Sequence, residues 1–78
     1  MPTVLREKGY RFGFYSYDLG EPIHVHVTKE GREAKLWLNP VRVAWNEGFR
    51  QHELREIVQI AEANRTLIEK KWNERIGR

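Results

Sequence analysis

In the stretch Glu21-Pro22-Ile23-His24-Val25-His26-Val27, residues 23–27 strictly alternate apolar residues with histidines. Successive side chains of a β-strand point to opposite faces of the sheet. If this stretch is a strand, its isoleucine and valines point into a core. His24 and His26 then lie together on the opposite face, which we expect to be accessible to solvent. The two imidazoles are then expected to lie about 7 Å apart, two residues along one strand.

Further strands are predicted on both sides of this one. Aromatic residues favour a strand over residues 10–17, and alternation favours strands over 23–28 and 33–38. Residues 41–45 are expected to form either a fourth strand or an extended connection. Residues 3–5 are expected to form a short edge strand. Gly31 makes a hairpin turn between two of the strands because glycine accepts a positive φ. Gly13 either admits a close approach of other atoms to its face or marks a bulge.

The second half of the chain has the pattern of one long helix. Apolar residues recur at helical spacing across residues 51–76, and no glycine or proline interrupts that range. About 26 residues at 1.5 Å each give a rod roughly 39 Å long. Phe49 and Leu54 are placed as a hydrophobic staple around an N-cap at Arg50, with Glu53 at the third helical position.

These elements predict an α+β fold: an antiparallel meander of three to four strands packed against one long C-terminal helix. The 78 residues form a single domain, residues 1–78. The chain has no cysteine and no apolar run long enough to span a bilayer, so we expect a cytoplasmic protein without a membrane partner. The net charge of +3 comes from mixed, unclustered charges and does not by itself indicate nucleic-acid binding.

The predicted outer face of the sheet combines cations, imidazoles and aromatic rings. It consists of Arg11, Tyr15, Tyr17, His24, His26, Thr28, Lys35 and Trp37. One hypothesis is structural: another segment or chain covers this face, and the histidines are ordinary hydrogen-bonding residues.

A second hypothesis is that this face contacts or cleaves RNA. Bases stack on the aromatic rings while the cations meet phosphate. Two histidines near neutral pKa could share the acid and base roles in attack of a ribose 2′-OH on phosphate. A metal-independent ribonuclease without a cofactor would use His24, His26, Lys35 and Tyr15 as catalytic residues and Arg11, Tyr17 and Trp37 to bind the nucleic acid.

A third hypothesis is a metal site. His24 and His26 supply two nitrogen ligands, but a structural zinc site needs about four and a catalytic one about three. Asp18, Glu21 or His52 would have to complete the set. A lone His-x-His pattern is a weak indication of metal binding.

The predicted helix carries a second, weaker apolar strip of Ile60, Ala63 and Leu67. These residues are either scattered surface hydrophobes, which are normal, or a contact with another chain. In the second interpretation the strip binds a second copy, giving a homodimer, or a cognate partner protein.

Several segments resemble the bacterial family called domain of unknown function 4160. They are residues 1–6, Tyr10-Arg11-Phe12 with Phe14-Tyr15-Ser16, residues 21–27, Ala34-Lys35-Leu36-Trp37-Leu38, and Gly48-Phe49 followed by Glu53-Leu54. The resemblance covers nearly the whole chain, and the Glu-Pro-x-His-Val-His-Val run is its most specific part. Relatives often have proline where this chain has Ile23 and a serine-like cap where it has Arg50.

The resemblance implies a partner more directly than an activity. Genes of this family often lie beside one that encodes a domain of unknown function 2442 protein, and the pair is suspected to be a toxin–antitoxin module. We therefore expect a component of a two-protein module whose partner is a small cognate protein encoded by the neighbouring gene. The chain is either a toxin-like protein directed at RNA or DNA, or a non-enzymatic antitoxin, repressor or partner-binding module.

Overall fold

A computed structural model describes residues 1–15 and 20–76 of the chain. Its elements are β1 (Thr3–Glu7), β2 (Tyr10–Gly13), β3 (His24–Lys29), β4 (Arg32–Leu38), β5 (Val41–Glu47), α1 (Gln51–Ala63) and α2 (Arg65–Ile76). The strands form one antiparallel sheet in the order β1-β2-β3-β4-β5. The α+β class and the meander are as predicted. The sheet has five strands instead of three to four, and two helices replace the single long one.

Two tight turns fix the order of the strands. Lys8 and Gly9 join β1 to β2, and Glu30 and Gly31 join β3 to β4. All four residues have a positive φ, between 51° and 83°. Positive φ at both central residues is the backbone of a type I′ turn, whose twist matches that of a hairpin. The predicted turn at Gly31 is confirmed.

Gly13 ends β2 beside the first residues of the chain, where it is paired with Thr3. A side chain at this position would collide with the carbonyl oxygen of Pro2. The next residue, Phe14, donates its N–H to that same oxygen at 3.2 Å. The predicted close approach at Gly13 is confirmed. The strand itself is shorter than the predicted 10–17, and Tyr17 and Asp18 lie outside the described residues.

One face of the sheet, here called the helix face, packs against α1. Cross-strand neighbours on it include Phe12 with Val27 and Val25 with Leu36. The buried hydrophobic core consists of Tyr10, Phe12, Phe14, Val25, Val27, Ala34, Leu36, Leu38, Phe49, Ile57, Ile60, Ala61, Ile68 and Trp72. The opposite face, here called the histidine face, carries His24 and His26.

The predicted single helix is divided at Asn64. Its φ and ψ of −113° and 19° are not helical, and its side-chain Nδ2 donates to the Ile60 carbonyl oxygen at 2.8 Å. Asparagine is a weak helix former because its side chain competes for backbone hydrogen bonds in this way. The break separates α2 from α1. Trp72 of α2 packs edge-on against Phe14, with ring centroids 5.3 Å apart.

Polar contacts fix the start of α1. Asn46 accepts the N–H of Phe49 and donates to its carbonyl oxygen, both at 3.0 Å. The predicted N-cap is Arg50, and its N–H donates to the Glu53 carboxylate at 2.8 Å. Glu53 also accepts from Arg32 of β4 at 2.7 Å, so one carboxylate joins the first helical turn to the sheet.

Candidate functional site

The histidine face is built from two neighbouring cross-strand rows. His26, Lys35 and Trp45 form one row across β3, β4 and β5. His24, Trp37 and Arg42 form the other. Residues paired across antiparallel strands point to the same face, so the sheet brings these six side chains together. Of the predicted patch, Arg11 and Thr28 are paired on the same face.

The two histidines share a face as predicted, but the prediction that they are accessible is wrong. His24 is 0% exposed and His26 is 4% exposed. Their ring centroids lie 5.3 Å apart. Aromatic rings from other elements lie against them, because β4, β5 and α2 each carry a tryptophan here and a tyrosine follows β2. Tyr15 and Trp45 lie 4.5 and 5.9 Å from the His26 ring, and Trp37 and Trp72 lie 5.7 and 5.1 Å from the His24 ring.

Each imidazole contacts an oxygen atom of the protein through Nδ1. His26 Nδ1 lies 3.2 Å from the Glu33 carboxylate, which also accepts the Tyr15 hydroxyl at 3.1 Å. His24 Nδ1 lies 2.8 Å from the Pro22 carbonyl oxygen and 3.7 Å from the Glu21 carboxylate. Hydrogen-bonded, buried imidazoles of this kind hold a fixed orientation. They are enclosed by protein and do not face a substrate in solution.

The cations predicted to meet phosphate already have partners within the chain. Arg11 donates to the Thr3 hydroxyl at 2.7 Å and to the Met1 carbonyl oxygen. Lys35 donates to the Glu21 carboxylate, and its ammonium lies 4.6 Å from the centre of the Trp37 ring. The Lys35 side chain is largely buried. Both cations therefore help to hold the face together.

Two functional candidates on β5 were missed by the sequence reasoning. Trp45 is 39% exposed, and Arg42 is exposed without a carboxylate at ion-pair distance in the described part of the chain. Plain alternation over residues 41–45 puts Trp45 on the same side as Val43. A bulge changes this, because Leu36 pairs with Val43 while Lys35 pairs with Trp45, which leaves Ala44 as the extra residue. Alternation alone could have identified Arg42; no pattern in the sequence marks the bulge.

A cleft of about 370 Å³ adjoins the row of His24. Its lining residues are Pro22, Ile23, Trp37, Asn39 and Arg42. The indole of Trp37 and the guanidinium of Arg42 are cross-strand neighbours, so the cleft has a flat aromatic wall beside a positive charge. Such a combination suits a planar, anionic ligand.

The predicted partner strip is not a continuous exposed surface. Ile60 belongs to the core and is 4% exposed, Leu67 is half-buried, and Ala63 is exposed. Ile60 is buried because it lies on the same side of α1 as Ile57 and Ala61, and this side packs against the sheet. The prediction that Ile60 is exposed is wrong.

The histidines are not part of a cluster with enough metal ligands. Across residues 1–15 and 20–76, no group of three or more His, Cys, Asp or Glu side chains could hold a metal ion. His52 is exposed in the first turn of α1, which packs on the helix face, whereas His24 and His26 belong to the histidine face.

Neither described helix has the length and apolar character that a bilayer crossing requires. No curated protein and no solved structure matches this chain. The sequence model of one family, described as "Domain of unknown function (DUF4160)", matches residues 9–73. That match includes β2 to β5, α1 and most of α2, and with them both rows of the histidine face. The chain therefore belongs to the DUF4160 family.

Proposed function

We propose that this protein binds single-stranded RNA without cleaving it, as the RNA-directed component of a bacterial two-protein module of the toxin–antitoxin type. The observation that carries the proposal is the exposed Trp45 on the histidine face, next to the row that contains Arg42. An exposed indole beside an arginine without a carboxylate partner is a typical element of single-strand recognition.

In this proposal two aromatic surfaces hold bases and one cation holds the phosphate between them. One base stacks on Trp45, and a second enters the cleft against Trp37. Arg42 pairs with the phosphate that connects the two nucleotides. Glu33 and Glu47 are paired on the same face one row further along β4 and β5, and their carboxylates limit the RNA surface on that side.

The burial of the histidines supports binding over cleavage. A general base must come within about 2.6–3.2 Å of the proton that it removes. Imidazoles that are 0% and 4% exposed do not reach a ribose hydroxyl on the surface. For the metal hypothesis, the described residues include no group of three or more His, Cys, Asp or Glu side chains that could hold a metal ion. In our proposal His24 and His26 support the aromatic rings that the RNA contacts.

The test is fluorescence anisotropy with a labelled single-stranded RNA and the same RNA in duplex form. We expect Trp45→Ala to weaken single-strand binding by about 5- to 150-fold, which corresponds to about 1–3 kcal/mol for one stacked base. Arg42→Ala should weaken binding and reduce its dependence on salt between about 50 and 200 mM, because one phosphate contact is lost. The duplex should bind less tightly, since its bases are not free to stack.

Val43→Ala is the matched control for this experiment. Val43 is 37% exposed, nearly as much as Trp45, and lies on the same strand but on the helix face. Its substitution should leave the RNA affinity unchanged. The proposed RNA site would be refuted if Trp45→Ala bound the RNA with wild-type affinity. It would also be refuted if Val43→Ala lost as much RNA affinity as Trp45→Ala.

Membership in a two-protein module needs a separate experiment. The chain is expressed in bacteria alone and together with the product of the neighbouring gene, and growth is recorded. We expect growth inhibition by the chain alone, relief by the neighbour, and loss of inhibition in Trp45→Ala. Inhibition by the neighbour and relief by this chain would instead assign the antitoxin role to this protein.

A further inference from the structure

A second open surface lies on the helix face, between β5 and α1. This β5–α1 groove has a volume of about 600 Å³. Its lining residues are Val43, Gln51, Leu54, Arg55, Val58 and Gln59. The volume is within the range of about 300–1,000 Å³ that is usual for binding sites.

The floor of the groove is apolar and partly open to solvent. Val43 is 37% exposed and, with Trp45, is one of two exposed large hydrophobic residues within the described ranges. Leu54 and Val58 are half-buried and pack on the edge of the core. The three side chains therefore form a continuous apolar surface that extends from the core to the outside of the molecule.

The rim of the groove is polar and positive. Arg55 is exposed and has no carboxylate within ion-pair distance in residues 1–15 and 20–76, and no acidic side chain lines the groove. Two carboxylates of α1 are engaged elsewhere: Glu53 accepts from Arg32 and Glu56 accepts from Tyr10. The groove therefore complements a ligand that is apolar on one side and negatively charged beside it.

The geometry of β5 favours a helix over a strand as the occupant. Strand addition needs a regular row of free backbone groups at the sheet edge, and the bulge at Ala44 interrupts that row. A helix instead lays apolar residues at positions i, i+3 or i+4, and i+7 along a groove. A symmetric contact between two copies of this chain would bring the Arg55 of both copies into one interface, and no acidic side chain lines the groove to pair with them.

We propose that the β5–α1 groove binds an acidic amphipathic helix of a partner protein. Apolar side chains of that helix cover Val43, Leu54 and Val58, and a carboxylate beside them pairs with Arg55. This surface and the RNA site lie on opposite faces of β5, so both ligands can bind at once. The proposal does not depend on the RNA site.

Two synthetic helical peptides provide the test. Each is about 16 residues long, slightly above the length at which isolated helices become stable, and carries the same leucine stripe. One has glutamates and the other has lysines on its polar face. We expect the acidic peptide to bind the full chain at least about tenfold more tightly than the basic one, because only the first pairs with Arg55.

Variants of the protein identify the groove as the binding site. Val43→Asp should abolish binding of the acidic peptide, and Arg55→Glu should reverse the preference between the two peptides. Trp45→Ala, on the opposite face, should change neither affinity. Arg55 is exposed, so its variant decides the question even if Val43→Asp fails to fold.

Four results would overturn the proposal. The first is that neither peptide binds, and the second is that both bind equally well. The third is that Arg55→Glu leaves the preference unchanged. The fourth is a dimer of the wild-type chain in light scattering that dissociates in Val43→Asp, since the occupant would then be a second copy.

Discussion

At the scale of single residues, the two imidazoles of the histidine face are held by oxygen atoms of their own chain. Glu33 connects His26 to Tyr15, and Pro22 positions His24. Buried polar groups need such partners because an unsatisfied group in the interior costs about 1–3 kcal/mol. His26 therefore contributes to the fold, and its removal would leave a cavity next to Glu33.

The first prediction compares two histidines that differ in burial. We expect His26→Ala to lower the free energy of unfolding by about 2–4 kcal/mol, because a cavity forms and the contact with Glu33 is lost. His52→Ala is the control, since that side chain is exposed and should change stability by no more than about 0.5 kcal/mol. Urea denaturation followed by circular dichroism measures both. Equal midpoints for the two variants would contradict a structural role for His26.

At the scale of elements, both helices bury apolar side chains in the hydrophobic core, and α1 has additional polar contacts with the sheet. Polar contacts join α1 to it, through Asn46, Glu53 and Glu56. For α2, the buried side chains are Ile68 and Trp72, which join the hydrophobic core. Trp72 contacts Phe14 and His24, so it connects α2 to the segment after β2 and to β3.

The second prediction concerns the attachment of α2. Trp72→Ala should destabilise the protein by about 3–5 kcal/mol, since a buried aromatic side chain is lost. Backbone amides of α2 should then exchange with solvent faster relative to those of α1, as measured by hydrogen exchange. Trp45→Ala removes the same side chain from a position that is 39% exposed, so it should destabilise the protein less than Trp72→Ala and should not accelerate exchange in α2 relative to α1. If amide exchange in Trp72→Ala accelerated equally in both helices, Trp72 would not be the residue that holds α2 independently of α1.

For the whole molecule, stability depends on pH through the contact between Tyr10 and Glu56. The Tyr10 hydroxyl donates to Glu56 at 2.8 Å and joins the sheet to α1. Burial, together with this carboxylate, raises the pKa of Tyr10 from 10.0 to about 12. The hydrogen bond from Tyr10 holds the pKa of Glu56 below its usual 4.5, and the N–H of Arg50 does the same for the pKa of Glu53.

The third prediction follows from the signs of these shifts. A carboxylate with a lowered pKa contributes stability above about pH 4.5, and that contribution is lost as the pH falls through the folded-state value. A phenol with a raised pKa contributes stability below pH 10, which is lost as the pH rises toward 12. The free energy of unfolding should therefore be highest between about pH 5 and 10, with a decrease on each side.

Tyr10→Phe tests the shared origin of both decreases. The variant has no phenol to ionise and no longer donates to Glu56, so the acid and the alkaline limbs should both become shallower. Urea titrations from about pH 3 to 11.5 give the two profiles. An unchanged profile in the variant would exclude this contact as the cause.

Local sequence determined the strands, the turns and the helical character of the second half of the chain. Alternation over residues 23–27 separated the histidines from the valines, and Gly31 fixed the turn that pairs β3 with β4. The amphipathic spacing after Phe49 identified the helical region and its start. These features depend on side-chain period and backbone freedom, which neighbouring residues determine.

Tertiary structure decided what covers each face. Alternation shows which residues share a side, but the rings that bury His24 and His26 come from β4, β5, α2 and the segment after β2. The bulge at Ala44 brings Trp45 to the histidine face, and the break at Asn64 allows α2 to reach Phe14. The break at Asn64 also has a local cause, because its side chain donates to the Ile60 carbonyl oxygen. Burial and bulges depend on packing between segments that are distant in the chain, which no local pattern contains.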